Sequence, residues 1–186
     1  MAEVKARLCS GNEHKLDELR ASLPGWQLEL LPLDVEETGA TYEDNARLKA
    51  RAAREVAVPE EWVLGEDSGI ECDALAGAPG VQSARWAPSG TQAEALLERL
   101  RGEPNRGARM VCTIVAVSPG DRDELVAVGV LDGEIADERR GEGGFGYDPV
   151  FVPRGFEQTV AELGDDWKRA SSHRARAAQA LADAVR

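Results

Sequence analysis

The sequence predicts an α/β protein with a mixed β-sheet and flanking helices. Strand-like segments alternate along the chain with segments whose apolar residues recur at helical spacing, which is typical of α/β folds. In the second half, two strand-like segments flank Pro119-Gly120, a pair that favours a tight turn and therefore a hairpin. A hairpin within an otherwise alternating order indicates a mixed sheet rather than an all-parallel one.

The first half of the chain predicts three strands and two helices. The strands are Val4–Cys9, Gln27–Leu31 and Val63–Asp67. Leucines at helical spacing indicate the first helix, which Pro24-Gly25 ends; they are Leu16, Leu19 and Leu23. Thr41 is the predicted N-cap of a longer helix that runs to about Val58. An alanine stripe follows one face of this helix, at Ala46, Ala50, Ala53 and Ala57.

The second half predicts two helices and several short strands. A helix is expected at Gln92–Arg101, and an alanine-rich helix at Ser172–Val185 closes the chain, with Ser171 or Ser172 as its N-cap. The predicted strands are Arg109–Val117, Glu124–Leu131, Glu134–Glu138 and Val150–Val152. Pro and Gly clusters at 77–80 and 102–107 are expected to be bends rather than domain linkers. We therefore expect one domain over residues 1–186.

Composition and charge narrow the function classes. The chain is 42% hydrophobic and 30% charged, which is typical of a globular protein, and it has no apolar run long enough to span a bilayer. The segment Met1–Arg7 is too polar for a signal peptide, so we expect a cytoplasmic protein. The cysteines lack metal-type spacing and are expected to be buried, reduced thiols; they are Cys9, Cys72 and Cys112.

The net charge of −12 disfavours nucleic-acid binding, because a long polyanion would be repelled. A small anion could still bind where a few lysines, backbone N–H groups and a divalent metal converge. The stretch Ser10–Lys15, SGNEHK, fits the first part of such a site. It lies where a strand gives way to a helix, Asn12 can cap that helix, and the helix N-terminus favours an anion. The alternative is an ordinary capped turn with a solvated Lys15.

Acidic residues could supply the metal ligands. In the stretch EETGATYEDNARLK, Asn45 and Lys49 lie four residues apart and share one helical face. The stretch GEDSGI places Glu66 and Asp67 at the end of an apolar strand, where ligands gather in α/β sheets. Mg²⁺ is held by one or two protein carboxylates, with water and phosphate at its other positions. The alternatives are that Glu36 and Glu37 are ordinary loop acids with Lys49 a solvated helix charge, and that Asp67 caps its own backbone in a turn.

Two further stretches could bind a planar base. In GEGGFGYDPVF, Phe145 and Tyr147 bracket a glycine, and a base stacks on such a ring with about 1–3 kcal/mol. In the last helix, His173 and Arg174 fall in the first turn, where the helix dipole disfavours cations. Both positions are understandable if these side chains donate to a ligand. Otherwise the rings belong to the core, the glycines serve turn geometry, and His173 is a half-buried histidine with internal partners.

These five stretches stand in the order and at the approximate separations of one family. The chain resembles the inosine-triphosphate pyrophosphatases, which hydrolyse non-standard purine nucleoside triphosphates. SGNEHK resembles the family's phosphate motif, while EETGATYEDNARLKA and EDSGIECDALAGAPGVQSARW resemble its metal-binding and catalytic centre. GGFGYDPVF and SSHR resemble its nucleobase-binding elements. The resemblance covers nearly the whole chain and implies an elongated mixed α/β fold with two lobes around a central cleft, a homodimer and Mg²⁺.

The resemblance also implies residue roles. Asp67 would be the catalytic base, and Glu36 and Asp67 would hold Mg²⁺. The implied substrate-binding residues are Ser10, Gly11, Asn12, Lys15, Lys49, Ser68, Phe145, Gly146, Tyr147, Asp148, Lys168, His173 and Arg174. Glu66 stands where many bacterial members have Asp, so the resemblance leaves its contribution to the metal site open.

The implied reaction is Mg²⁺-dependent hydrolysis of inosine, deoxyinosine and xanthosine triphosphates to the monophosphate and pyrophosphate, which would cleanse the nucleotide pool. One alternative is a pyrophosphatase that acts on modified pyrimidine nucleotides. Another is a nucleotide-binding regulatory module without turnover. The expected partner is a small nucleoside triphosphate, with no nucleic acid and no membrane.

Overall fold

The computed structural model describes residues 4–185 of the 186-residue chain. Its helices are α1 (Glu13–Ser22), α2 (Tyr42–Val56), α3 (Gln92–Arg99), α4 (Val160–Ser171) and α5 (His173–Ala184). Its strands are β1 (Val4–Cys9), β2 (Trp26–Leu30), β3 (Trp62–Cys72), β4 (Gly107–Val117), β5 (Glu124–Ile135) and β6 (Phe151–Pro153). Short 3₁₀ helices lie at Asp73–Leu75, Gly80–Arg85 and Pro119–Asp121.

The strands form one six-stranded sheet in the order β2-β1-β3-β4-β5-β6. β1 runs parallel to both β2 and β3, whereas β5 and β6 are antiparallel. The predicted α/β fold with a mixed sheet and flanking helices is therefore confirmed. The turn Pro119–Asp121 connects β4 to β5, as the Pro-Gly pair predicts.

Local sequence signals account for several element boundaries. β1 has the predicted bounds, and the Thr41 side chain caps α2 by accepting from the Asp44 backbone N–H. β5 runs unbroken through Asp132-Gly133 to Ile135, so the predicted separate strand at Glu134–Glu138 is wrong. α4 lies where no helix is predicted, and Gly164 inside it has non-helical backbone angles.

The chain divides into two compact units, and β3, β4 and β5 each contribute residues to both. The first unit comprises the described residues up to Asp67, Cys112–Gly129, and the described residues from His173 onward. Alternate residues of β4 belong to its two apolar clusters, so the clusters lie on opposite faces of the strand. One cluster packs α1 and α5; the other packs the alanine stripe of α2. The approach of α2 is close, since a Cβ added at Gly65 would lie 1.9 Å from the Ala46 carbonyl oxygen.

The second unit comprises Ser68–Val111 and Val130–Ser172. Its core is a third apolar cluster that draws on β3, α3, β4, β5 and the segment around β6. The three cysteines are buried and free, as predicted. In the described part of the chain, no helix has the length and apolarity needed to cross a membrane. The expectation of one domain over residues 1–186 stays a prediction.

Candidate active site

The turn between β1 and α1 is organised by its own polar side chains. The Asn12 carboxamide oxygen accepts from the backbone N–H groups of His14, at 3.0 Å, and Lys15, at 3.4 Å. The Ser10 hydroxyl accepts from the Asn12 N–H at 3.1 Å. The predicted cap is therefore confirmed. These bonds hold the turn in one conformation and place Lys15 in the first turn of α1.

Glu66 is a buried carboxylate that receives donors from three elements. Lys15 Nζ on α1 lies 2.6 Å from its Oε2. Arg174 on α5 donates to Oε1 through Nε at 3.2 Å and Nη2 at 3.1 Å, and the Cys112 thiol on β4 lies 3.3 Å from Oε1. Burial alone would raise the pKa of Glu66, but the charges of Lys15 and Arg174 hold it well below its usual range. Glu66 is therefore anionic and acts as the counter-ion of these two cations.

Arg174 extends this network to a second acid. Its Nη1 donates to Glu18 Oε2 at 2.8 Å, and both side chains are buried. Burial would lower the pKa of Arg174, but Glu66 and Glu18 raise it. The guanidinium is thus held by two carboxylates of the protein itself. This contrasts with the expectation that it faces a ligand, and its assignment to substrate binding stays a prediction.

Asp67 lies at the centre of a second group of polar side chains. Asn45 Nδ2 donates to its Oδ2 at 3.1 Å, and Lys49 Nζ lies 3.4 Å from its Oδ1. Lys49 also donates to the Glu66 carbonyl oxygen at 3.0 Å and forms an ion pair with Glu37. Burial raises the pKa of Asp67, although Lys49 and Asn45 oppose the rise. The predicted shared face of Asn45 and Lys49 exists, and it contacts Asp67.

Glu36 and its neighbour Glu37 lie in different surroundings. Glu36 is exposed, whereas its neighbour Glu37 is half-buried and forms an ion pair with the lysine that contacts Asp67. In an irregular loop, neither hydrophobic periodicity nor capping distinguishes two adjacent glutamates. Glu37 is therefore the glutamate of this pair that contacts the Asp67 group through Lys49, and the predicted role of Glu36 toward a metal stays a prediction.

Glu37 and Asp67 suit a hard divalent cation. Within residues 4–185, no group of three or more His, Cys, Asp or Glu residues has the geometry of a metal site. Mg²⁺, however, is commonly held by only one or two protein carboxylates, with water and substrate phosphate as its other ligands. The ammonium group of Lys49 pairs with both carboxylates, which therefore lie near one positive charge. The chemistry of these two donors suits a divalent metal.

In the second unit, Asp148 organises the glycine-rich stretch. Its Oδ2 accepts from the Phe145 backbone N–H at 2.8 Å and from Lys168 Nζ at 2.6 Å. The same ammonium lies 3.8 Å from the centroid of the Phe145 ring. Gly144 has a φ of 73°, and an added Cβ would lie 2.3 Å from Asp148 Oδ2. The structure thus brings the predicted residues Phe145, Asp148 and Lys168 together.

Tyr147 belongs to the core of the second unit. Its ring is buried in the apolar cluster, and its hydroxyl donates to the Ser83 carbonyl oxygen at 2.8 Å. The structure thus explains this side chain by its place in the core, and its predicted role toward substrate stays a prediction. Of the other predicted contacts, Gly11 and Gly146 are exposed, Ser68 is half-buried and His173 is buried. Their roles toward substrate stay predictions.

Comparison with known proteins identifies the family. The sequence profile of the Ham1 family matches residues 6–184. A dITP/XTP pyrophosphatase of Gloeobacter violaceus is 45% identical over 179 residues, 94% of this chain and 90% of that protein. One from Symbiobacterium thermophilum is 45% identical over 186 residues, 95% of this chain and 92% of that protein.

Solved structures agree with this relationship. The Ham1 protein of Staphylococcus aureus superposes with a TM-score of 0.85 at 36% identity, covering 97% of each chain. A HAM1 protein from Coxiella burnetii gives the same TM-score and identity, covering 98% of each chain. The resemblance read from the motifs is therefore confirmed: the chain belongs to the Ham1 family.

Proposed function

We propose that this chain hydrolyses non-standard purine nucleoside triphosphates to the nucleoside monophosphate and pyrophosphate. Relatives named dITP/XTP pyrophosphatase, 45% identical over 94% and 95% of the chain, support the reaction and the substrate class. The observation that carries the proposal is the buried carboxylate of Asp67, held by Asn45 and Lys49 beside Glu37. A carboxylate held in this way is suited to accept a proton from an attacking water.

The charges of the first unit favour a divalent cation as cofactor. Three cationic side chains, those of Lys15, Lys49 and Arg174, face the four carboxylates of Glu18, Glu37, Glu66 and Asp67. The one net negative charge of this group opposes the approach of a triphosphate, and binding of one divalent cation would make the net charge of the group positive. We assign Mg²⁺ to Asp67 and Glu37. Bound there, Mg²⁺ would neutralise phosphate oxygens and lower the pKa of a coordinated water.

The turn Ser10–Lys15 is assigned to the phosphates. An added Cβ at Gly11 would meet only Pro32 Cβ, at 3.9 Å, so the protein's own packing leaves the backbone of this turn accessible. The Ser10 hydroxyl and the Asn12 side chain hold that backbone in place. Lys15 supplies a positive charge at the start of α1, where the helix dipole also favours an anion.

Asp67, Lys15 and Lys49 have separate roles in the proposed hydrolysis. Asp67 accepts a proton from the water whose oxygen attacks the α-phosphorus. The bond between that phosphorus and the oxygen bridging to the β-phosphate breaks, and pyrophosphate leaves with the bond electrons. Lys15 and Lys49 neutralise the charge that develops on the leaving group, which is the principal contribution a protein makes to phosphoryl transfer.

Recognition of the base is assigned to the second unit. Phe145 would stack on the purine, on the ring face opposite the Lys168 ammonium, with Asp148 holding the Phe145 backbone and the Lys168 side chain. A donor such as a backbone N–H or His173 would bind the 6-oxo group, whereas the amino group of adenine would leave that donor unpaired at a cost of about 1–3 kcal/mol. Guanine would be rejected at its 2-amino group. An unchanged KM and base preference in Phe145→Ala would refute the stacking role.

Three assignments complete the proposal. Ser68 would contact substrate, and Arg174 would act mainly through its charge, because its donors are engaged by Glu66 and Glu18. The protein would act in the cytoplasm, on the free nucleotide pool. It would do so as a homodimer, and a solution mass equal to one 20.0 kDa chain in light scattering would contradict the dimer.

Product analysis tests the proposed reaction. Deoxyinosine triphosphate is incubated with the protein with and without Mg²⁺, and the products are separated by ion-exchange chromatography. We expect Mg²⁺-dependent formation of monophosphate and pyrophosphate, lost in Asp67→Asn and retained in Glu36→Gln. Formation of diphosphate and phosphate would overturn the proposed bond cleavage, and substrate binding without any turnover would indicate a regulatory module.

A further inference from the structure

We propose that Asn45 is a positioning residue, which fixes the carboxylate of Asp67 relative to the loop of Glu37 so that the two acids bind one divalent cation. The inference rests on the proposed function, because it assumes that Asp67 and Glu37 form the metal site. It adds a residue that does not itself touch metal or substrate. Asn45 is completely buried on α2.

Both the oxygen and the nitrogen of the Asn45 side-chain amide form hydrogen bonds, and these bonds allow only one orientation of the amide. Its Oδ1 accepts from the Gly39 backbone N–H at 2.8 Å, and its Nδ2 donates to Asp67 Oδ2 at 3.1 Å. The reversed amide would set a donor against the N–H and an acceptor against the carboxylate. A backbone donor on one side and an anionic acceptor on the other therefore dictate the orientation. Asn45 bridges the loop that carries Glu37 and strand β3, which carries Asp67 in its middle rather than at its end, where the sequence predicts it.

The packing around this bridge is tight on both sides. A Cβ added at Gly39 would lie 2.5 Å from Asp44 Cβ and 2.7 Å from Asn45 Oδ1. On the strand side, an added Cβ at Gly65 would lie 2.6 Å from the Ala50 backbone N. The loop at Gly39 and strand β3 at Gly65 thus both pack closely against α2, and this close packing restricts movement of the Asn45 amide.

The bridge fixes which oxygen of Asp67 is available. With Oδ2 engaged by Asn45, Oδ1 lies toward Lys49 Nζ, 3.4 Å away, and Lys49 also pairs with Glu37. Without the Asn45 amide, the Asp67 carboxylate is free to rotate about its Cβ–Cγ bond, and Oδ1 loses its fixed orientation toward Lys49 and Glu37. Groups that orient metal ligands in this way typically change metal affinity or activity by about 10–100-fold when they are removed.

Mn²⁺ binding to the protein without substrate, followed by electron paramagnetic resonance, tests the proposal independently of turnover. We expect Asn45→Ala to weaken Mn²⁺ binding about 10–100-fold. Asn45→Ser is the second variant, for use if Asn45→Ala does not fold. Its side chain is too short to reach both Gly39 and Asp67, so Mn²⁺ binding should weaken by a similar factor. Thr41→Ala is the matched control: it removes the cap of the same helix and should lower Tm without changing Mn²⁺ affinity.

A double-mutant cycle separates positioning from general destabilisation. If Asn45 acts through Asp67, Asn45→Ala should have no further effect on Mn²⁺ affinity in the Asp67→Asn background. Additive losses, or an unchanged affinity in Asn45→Ala and Asn45→Ser, would overturn the positioning role. Unchanged Mn²⁺ binding in Asp67→Asn would instead overturn the metal site of the proposed function, so the two failures are distinguishable.

Discussion

Replacing Glu66 by glutamine should destabilise the protein far more than replacing an exposed glutamate. Glu66 is 2% exposed and is the counter-ion of both Lys15 and the fully buried Arg174. Glutamine keeps the size but removes the charge, so Arg174 is left with Glu18 as its charged partner in this network. Breaking a buried ion pair from one side costs about 3–5 kcal/mol. For a chain of this length, that corresponds to a Tm lower by about 6–20 °C.

Thermal unfolding at neutral pH, followed by circular dichroism, measures the effect. Glu29→Gln is the matched control, because Glu29 pairs with Arg7 at 2.5 Å but its side chain is 62% exposed. Exposed pairs contribute at most about 1 kcal/mol, so this control should shift Tm by no more than about 4 °C. Equal shifts in the two variants would refute the assignment of Glu66 as the buried counter-ion of this network.

Three further outcomes are expected. The pKa of Glu66 is lowered on folding, so its ionisation stabilises the native state above the ordinary pKa of 4.5, and this stabilisation is lost as pH falls through the native pKa. The difference in unfolding free energy between wild type and Glu66→Gln should therefore shrink below pH 4.5. A difference that stays constant with pH would contradict this expectation. All three cysteines are buried, and burial raises the pKa of Cys72 to about 11. A thiol reagent at about pH 8 should therefore label no cysteine in the native protein and three after denaturation. Labelling of a native thiol would contradict the buried state. Glu37→Gln should weaken Mn²⁺ binding whereas Glu36→Gln should not, and the reverse result would restore Glu36 as the ligand.

Features with local causes could be predicted from the sequence. The caps at Asn12 and Thr41 depend on residues within one helical turn, and both are present. The family resemblance depends on short motifs in order along the chain, and it too is confirmed. α4 is not predicted, and Gly164 interrupts its helical backbone.

The interior of the candidate site depends on contacts that no local pattern encodes. Arg174 and Glu18 are 156 residues apart, and nothing in either stretch indicates that they pair. An arginine at the start of a helix suggested a ligand, whereas two buried carboxylates explain it within the protein. Similarly, Tyr147 beside glycines suggested a base-binding ring, but its hydroxyl bonds to Ser83 in the core.

The most direct test of the central claim compares kcat/KM for xanthosine, deoxyinosine, guanosine and adenosine triphosphates with Mg²⁺, in wild type and in Asp67→Asn. We predict pyrophosphate release that is fast for xanthosine and deoxyinosine triphosphates, slow for the other two, and lost in the variant. Equal rates on all four substrates would contradict the selective base site. Full activity in folded Asp67→Asn would contradict the assignment of Asp67 as the group that accepts the proton.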